Sequence, residues 1–404
     1  MQPLSKRRRN NAQALPTLFD ELIFEILSWV PVKSLLVLRS VCKSWKAIIS
    51  DQSFIKFHLQ RSPKDAYVIT ASKHGEYVAA QSCKMRSLFE NPTSTDITDS
   101  NSCYLFKTDE YCFNFVGSCN GLVCSLGSAI TDSGKKVWVR FWNPATRLLS
   151  KNSANLLVDV TSDPFTYSMF GFGYDHLTNT YKVIVICYDE EGKITWMKVH
   201  NMGDNSWRDI QNFPDFLTTR TSGQVRRDGI YISNNLNWIA VSNSNPFRKF
   251  VIVSLDLGDE TFTLMSMPCA FDEVYLEVPF EELYIFLGVL MDCLCVSYDD
   301  FYKGTNFVVW QMKEFGVEKS WTKLLNVSYY DLKVDCELEK RHLLSLYPLR
   351  MYKNGDFLIT LLYYDDLQAV MYNQRDKRVE LVKFYNSIEW IFETDYIQSL
   401  VSPL

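Results

Sequence analysis

Apolar residues recur at two different periods along this chain, and the change falls near residue 65. From Leu18 to Leu38 fourteen positions are large and apolar, and Leu22, Ile23, Ile26, Leu27 and Val30 stand at helical spacing. Thr17 is the expected N-cap, with Asp20 three residues on; Asp20 and Glu21 put negative charge where the helix dipole favours it. Pro31 ends this helix or opens the next. Val32, Leu35, Leu36 and Arg39 give the face of a second short helix. Val41, Trp45, Ile48 and Ile49 give that of a third, which stops near Ser50 and Asp51. Roughly 40 residues in three short helices do not make a self-sufficient core, and Phe24 and Trp29 lie off the main stripe. Something else must cover part of this surface, either the chain's own larger domain or a second polypeptide.

Past Ser62, Pro63, Lys64 and Asp65 the helical period disappears. Short apolar or alternating runs alternate with clusters of Gly, Asn, Asp and Pro, as in an all-β domain. Residues 87–108 read as a long loop. A weak repeat is anchored on turns at Asn143, Met202, Leu257, Phe315 and Gln374, spaced 55 to 59 residues apart. Asn120-Gly121, Asn234-Asn235 and Asn354-Gly355 are hairpin-turn signals within the units. About four strands per unit at this spacing suggest a β-propeller. Residues 66–111 and 384–401 would supply a closing blade, for five or six blades in all. A β-sandwich with a long tail is the competing architecture. The fold class expected is therefore α+β multidomain, a three-helix module followed by an all-β propeller-like domain.

Specific motifs narrow this reading. Leu22-Ile-Phe-Glu-Ile-Leu27, Val30-Pro-Val-Lys-Ser-Leu-Leu36, Val41-Cys-Lys-Ser-Trp-Lys46 and Ile49-Ser-Asp-Gln-Ser-Phe54 together resemble an F-box of the plant type. The resemblance implies docking on a Skp-type linker protein, and through it on a cullin-based ubiquitin ligase. Leu18, Leu22, Ile26, Leu27, Pro31, Val32, Leu35 and Leu36 would supply the docking surface, while Val41 and Trp45 hold the helices together. One departure stands at the front: Leu18 and Phe19 occupy the place of the family's Leu-Pro, which occurs three residues early as Leu15-Pro16.

The β half resembles the type 1 F-box-associated, kelch-like domain found in F-box/kelch-repeat and S-locus F-box-like proteins. The matching stretches are Gly117-Ser-Cys-Asn-Gly-Leu122, Trp142-Asn-Pro-Ala-Thr-Arg147, Phe170-Gly-Phe-Gly-Tyr-Asp175 with Tyr181-Lys-Val183, and Leu287-Gly-Val-Leu290 with Val308-Val-Trp-Gln-Met312. Asn237-Trp238 stands where the family often has His-Trp. The implied organisation is a basic tail over 1–14, an F-box over 15–60 and a substrate-binding β domain over 66–404. The implied function is that of a non-catalytic substrate-recognition subunit. A propeller-type lectin or glycan-processing enzyme with a helical cap is the alternative.

Composition and chemistry modify this picture only at its edges. A net charge of −5 over 404 residues argues against nucleic acid as the main partner. The basic run Lys6–Arg9 reads as a solvated tail or a nuclear localisation signal. Eleven cysteines without a preceding signal peptide point to a reducing cytoplasmic or nuclear compartment, and no apolar run reaches the roughly 18 residues of a membrane helix. Cys124, Cys187, Cys293 and Cys295 sit in apolar runs, as small hydrophobes do. Cys293-x-Cys295, Cys119-x4-Cys124 and five scattered histidines lack zinc spacing, so neither metal nor cofactor is expected. Gly171-Phe-Gly173 lacks the third glycine and the following helix of a dinucleotide loop, and reads as a pair of structural glycines.

The paired carboxylates Asp299-Asp300, Asp365-Asp366 and Glu281-Glu282 read as loop residues rather than as the facing acids of a glycosidase. Trp207 and Trp321 are expected to pack one blade on the next. Target recognition is expected in the connections Asp159–Ser168, Asp189–Ile194, Asn212–Gly223, Asn243–Lys249, Phe271–Glu282, Asp299–Thr305 and Asp331–Arg341. Their acids Asp272, Glu273, Glu277, Glu281, Glu282, Asp299 and Asp300 would favour a basic protein ligand.

Overall fold

Two units divide the computed structural model, Met1–Lys64 and Asp65–Leu404. It describes residues 19–61, 67–74, 77–84, 103–107, 112–131, 134–158, 168–188, 193–210, 217–218, 228–242, 249–269, 285–300, 306–334, 344–352, 354–363, 366–383 and 390–404.

The described part of the first unit holds four helices where three were expected: α1 Asp20–Leu27, α2 Val32–Leu38, α3 Lys43–Ser50 and α4 Gln52–Arg61. Asp51 explains the difference. It ends α3 and at once caps α4, its Oδ1 accepting from the Ser53 N–H at 2.9 Å and the Phe54 N–H at 3.2 Å. Phe19 takes the N-cap position of α1, with extended backbone and no side-chain bond; Thr17 lies outside the described residues. Pro31 is the N-cap residue of α2, so it opens that helix.

The fourth helix gives this small unit a core. Phe24, off the main stripe of α1, meets Phe54 edge-on at 5.1 Å and Phe57 at 5.5 Å. Leu27, Val32, Leu35, Ile49, Phe54 and Ile55 are buried with them. His58 is buried too and donates its Nε2 proton to the Val30 carbonyl at 2.8 Å; burial holds its imidazole below the usual range. Arg61 closes the unit. Its guanidinium pairs with Glu25, donates to Ser28 Oγ at 3.2 Å, and lies 5.0 Å from the Trp29 ring centre and 4.1 Å from that of Phe57.

In the second unit the strands, in chain order, are β1 Tyr67–His74, β2 Tyr77–Lys84, β3 Cys103–Lys107, β4 Cys112–Cys119, β5 Leu122–Thr131, β6 Gly134–Asn143, β7 Leu148–Leu149, β8 Leu156–Val158, β9 Ser168–Asp175, β10 Thr180–Tyr188, β11 Ile194–Asn201, β12 Arg208–Asp209 and β13 Leu217–Thr218. They continue as β14 Ile230–Ile232, β15 Asn235–Ser242, β16 Lys249–Asp256, β17 Phe262–Ser266, β18 Ile285–Leu290, β19 Cys293–Asp300, β20 Asn306–Met312, β21 Trp321–Ser328, β22 Leu344–Met351, β23 Asp356–Tyr363, β24 Asp366–Asn373, β25 Val379–Lys383 and β26 Trp390–Tyr396. Among the described residues they form six antiparallel sheets of four or five strands. The leading strands of successive sheets touch one another: β26 meets β4, β4 meets β9, β9 meets β14, β14 meets β18 and β18 meets β22. Inner strands that meet in succession, one from each sheet, make a propeller and not a sandwich. Its closing blade takes β1 to β3 from one end of the domain and its innermost strand, β26, from the other, with Tyr67 opposite Tyr396 and Ile69 opposite Phe392.

The 55-to-59-residue repeat has a local cause. Asn143, Asp256 and Asn373 end the third strands of three blades and accept from the N–H groups two and three positions on: Ala145 and Thr146 at 2.9 and 3.2 Å, Gly258 and Asp259 at 2.7 and 3.3 Å, Arg375 and Asp376 at 2.9 and 3.2 Å. Four residues on, Arg147, Glu260 and Lys377 take left-handed backbone, φ 61, 58 and 56°. Asn120 and Gly121 form the expected hairpin turn with both φ positive. The second turn is centred on Ser233 and Asn234, one residue earlier than the sequence suggests, and Met291-Asp292 makes the same turn without a sequence signal.

Adjacent blades are joined by tryptophans and by a glycine seat. Trp207 Nε1 donates to the Ala154 carbonyl at 2.8 Å and Trp321 Nε1 to that of Ser266 at 3.1 Å, each reaching the preceding blade. A Cβ at Gly171 would stand 2.7 Å from the Trp238 ring, whose Nε1 donates to the Phe170 carbonyl at 3.2 Å. Gly171 is therefore small to admit Trp238. Beside it Asn237 is buried and donates to the Ile230 carbonyl at 3.0 Å. Cys119, Cys124 and Cys187 share the core between the first two full blades. Burial pushes the Cys187 thiol up to about 12, which disfavours the thiolate that metal ligation needs.

Candidate functional site

On the first unit, the residues that matter are the apolar ones its own core leaves out. Leu22 and Ile26 on α1, with Phe19 at its N-cap and Trp29 just past its end, are spaced at i, i+3, i+7 and i+10 from Phe19, and the four are, in chain order, 73, 51, 56 and 62% exposed. Val37 and Val41, on and just beyond α2, are 68 and 60% exposed. Six of the fifteen exposed large apolar side chains among the described residues thus fall in this one small unit, the mark of an interaction surface.

Of the eight residues expected to dock a linker, Leu22, Ile26 and Pro31 are exposed and Leu36 is half-buried. Leu27, Val32 and Leu35 are only 1, 2 and 0% exposed. They belong to the core that α4 completes and present no surface of their own. Leu18 lies outside the described residues. Val41 reverses its expected role, because it faces solvent instead of holding the helices together; Trp45 is half-buried.

On the β domain, strand direction decides which connections share an end. The turns within each leading and each closing strand pair, such as Asn120-Gly121, 144–147, 176–179, 257–261 and 374–378, lie at one end of the ring. The strands flanking 159–167, 189–192, 243–248, 270–284, 301–305 and 335–343 all open at the other. Six of the seven connections expected to carry recognition therefore leave from one end. Asp272, Glu273, Glu277, Glu281 and Glu282 lie outside the described residues. Asp299 and Asp300 are not loop residues: they finish β19, paired with Phe307 and Asn306.

A buried charge cluster on the β domain has no counterpart among the motifs of the sequence. Lys182, buried on β10, stands with its Nζ 3.0 Å from Asp175 Oδ2 and 3.1 Å from Glu260 Oε1, and donates to the Leu257 carbonyl at 2.5 Å. Arg208 holds Glu260 with two bonds, one of them 2.7 Å to Oε2. Asp175 also accepts from the Leu177 N–H at 2.8 Å and from Thr178 Oγ1 at 2.6 Å. Burial opposes ionisation of Asp175, but its bonds to Thr178 and Lys182 hold it below the usual carboxylate range; the bond from Arg208 does the same for Glu260. Every charge here is matched, so the cluster ties two blades together and offers no proton to a substrate. Its one sequence signal is a lone lysine inside the apolar run Tyr181–Tyr188.

Lys182→Met should strip the buried Asp175 of its counter-charge and lower the stability of the β domain by about 3–5 kcal/mol near neutral pH. The sign with pH follows. In the wild-type chain both carboxylates titrate below their unfolded values, so their contribution is present above those values and is lost as pH falls through the folded ones. In the variant Asp175 becomes easier to protonate, and the gap to wild type narrows as pH falls. Urea midpoints at pH 7 and pH 5 test this; a gap that does not change with pH would detach the effect from Asp175.

Comparison with known proteins adds a family to this geometry. An F-box domain model matches residues 15–57, and a model described as the F-box associated beta propeller domain matches residues 77–403. The chain is 32% identical over 312 residues to the F-box/kelch-repeat protein At3g23880 of Arabidopsis thaliana, covering 76% of this chain and 78% of the relative. It is 26% identical to the F-box protein CPR1 of the same species, covering 78 and 73%. Among solved structures it resembles TolB from Acinetobacter baumannii with a TM-score of 0.40 at 7% identity, covering 87% of this chain and 71% of that one.

Proposed function

We propose that this chain, which belongs to the plant F-box proteins with an F-box associated β-propeller domain, is the target-recruiting subunit of a Skp–cullin–F-box ubiquitin ligase. The observation that carries the reading is the open stripe on α1, with Leu22 and Ile26 both more than half exposed inside the F-box match. The Skp-type linker docks on that stripe and on Pro31, Leu36, Val37 and Val41. Leu27, Val32 and Leu35 give the surface its shape from beneath. The chain performs no bond-making step itself. It binds a protein target through the β domain and holds it beside a charged ubiquitin-conjugating enzyme, which raises the effective concentration of the target's lysines.

Affinity capture from native tissue with the proteasome blocked tests the division of labour. The full chain is expected to retain a Skp-type linker, a cullin and the target, whereas a chain lacking residues 1–60 retains the target alone. Retention of the linker by the shortened chain would overturn the assignment.

A further inference from the structure

The charges on the first unit are sorted by helix. From Phe19 to Val30 the chain carries Asp20, Glu21 and Glu25 and no lysine or arginine; from Ile26 to Ser50 it carries Lys33, Arg39, Lys43 and Lys46 and no carboxylate. The acids and three of the four bases are exposed, Arg39 being half-buried. Glu25 is taken by Arg61, which leaves Asp20 and Glu21 as the acidic pole at the start of α1. The basic pole surrounds the two exposed valines. Lys33 lies four residues before Val37 on the same face of α2, and Arg39 and Lys43 flank Val41. This pole stands against the trend of a chain whose net charge is −5.

We infer that α2 and α3 receive an acidic surface of the Skp-type linker, and that the exposed lysines of these two helices steer and orient the linker before the apolar stripe engages. The inference rests on the docking reading above and adds the chemistry of the partner: carboxylates facing Lys33, Lys43 and Lys46, with neutral groups facing Asp20 and Glu21. Charges at the margin of an apolar contact act chiefly on encounter rate and on orientation. An anionic membrane fits less well. The acids of α1 would oppose its headgroups, and the open side chains among the bases are valines, without the Trp, Phe or Leu of interfacial helices.

The test measures association of the full chain with a recombinant plant Skp-type linker. The association rate is expected to fall about tenfold between about 50 and about 500 mM salt. Lys33→Glu, Lys43→Glu and Lys46→Glu together should lower the low-salt rate by at least about tenfold and remove most of the salt dependence, while dissociation changes little. Asp20→Lys with Glu21→Lys should leave the rate equal or faster, and matching urea midpoints show that neither variant acts through folding. A triple variant that associates at the wild-type rate overturns the inference and leaves docking intact. Tighter binding to phosphatidylserine vesicles than to the linker, lost in the triple variant, overturns it in favour of a membrane. Absence of linker binding by the wild-type chain at any salt concentration overturns the docking reading and this inference with it.

Discussion

A chain carrying Leu22→Asp and Ile26→Asp is expected to lose its Skp-type linker while its β domain unfolds at the wild-type urea midpoint. Each side chain is more than half exposed in the free protein, so folding needs neither, and exposed substitutions of this kind usually shift stability by no more than about 0.5 kcal/mol. The interface responds differently. Covering the exposed half of a leucine or isoleucine is worth about 0.8–1.5 kcal/mol, and a carboxylate put in its place must be desolvated without a partner, at about 1–3 kcal/mol or more. Over two positions the loss exceeds about 3.5 kcal/mol, or more than about a hundredfold in affinity. Direct titration of linker onto wild type and variant measures it. Binding within about tenfold of wild type would place the contact elsewhere than on α1.

The same pair shows how far the sequence could be read. Its periodicity finds the apolar face of α1 but not the side from which each residue is covered. Leu22 and Leu27 belong to one stripe on paper, yet one is open and the other buried, and on α1 it is Phe24, off the stripe, that Phe54 and Phe57 of α4 pack against. The fourth helix has no separate start signal in the sequence, because Asp51, which stops α3, is also the cap that starts α4. The propeller was legible for the opposite reason. Its Asn and Asp turns repeat a local chemistry, and local chemistry survives in sequence. The Lys182 cluster has no such signature: Glu260 lies 78 residues away, and only the ring brings the two together. Trp207 and Trp321 are legible as blade-to-blade packing because their spacing follows the repeat.

Removal of residues 390–404 should abolish cooperative folding of the β domain, a larger effect than any single substitution. The segment supplies β26, the innermost strand of the closing blade, and so covers one edge of β1 while touching β4 of the next blade. Tyr396 is fully buried and its hydroxyl accepts from the Ala145 N–H at 3.1 Å. Beyond it the chain end lies on the first full blade, where the buried Asn143 donates to the carbonyls of Ser399 and Val401 at 3.0 and 2.7 Å. Gly121 makes room for this contact, since a Cβ there would collide with Ser399 and with the Ile397 carbonyl. Loss of the buried tyrosine alone amounts to about 3–5 kcal/mol, and each orphaned buried polar group adds about 1–3 kcal/mol. The sum, with an inner edge opened along β1, matches the whole of an ordinary domain's stability of about 5–15 kcal/mol. The shortened chain is expected to show no cooperative urea transition and to bind the dye ANS strongly, as a chain with collapsed but unpacked strands does. A cooperative transition within about 1 kcal/mol of the full chain would mean that β1 to β3 hold the ring closed without β26, and that the closing strand serves something other than the fold.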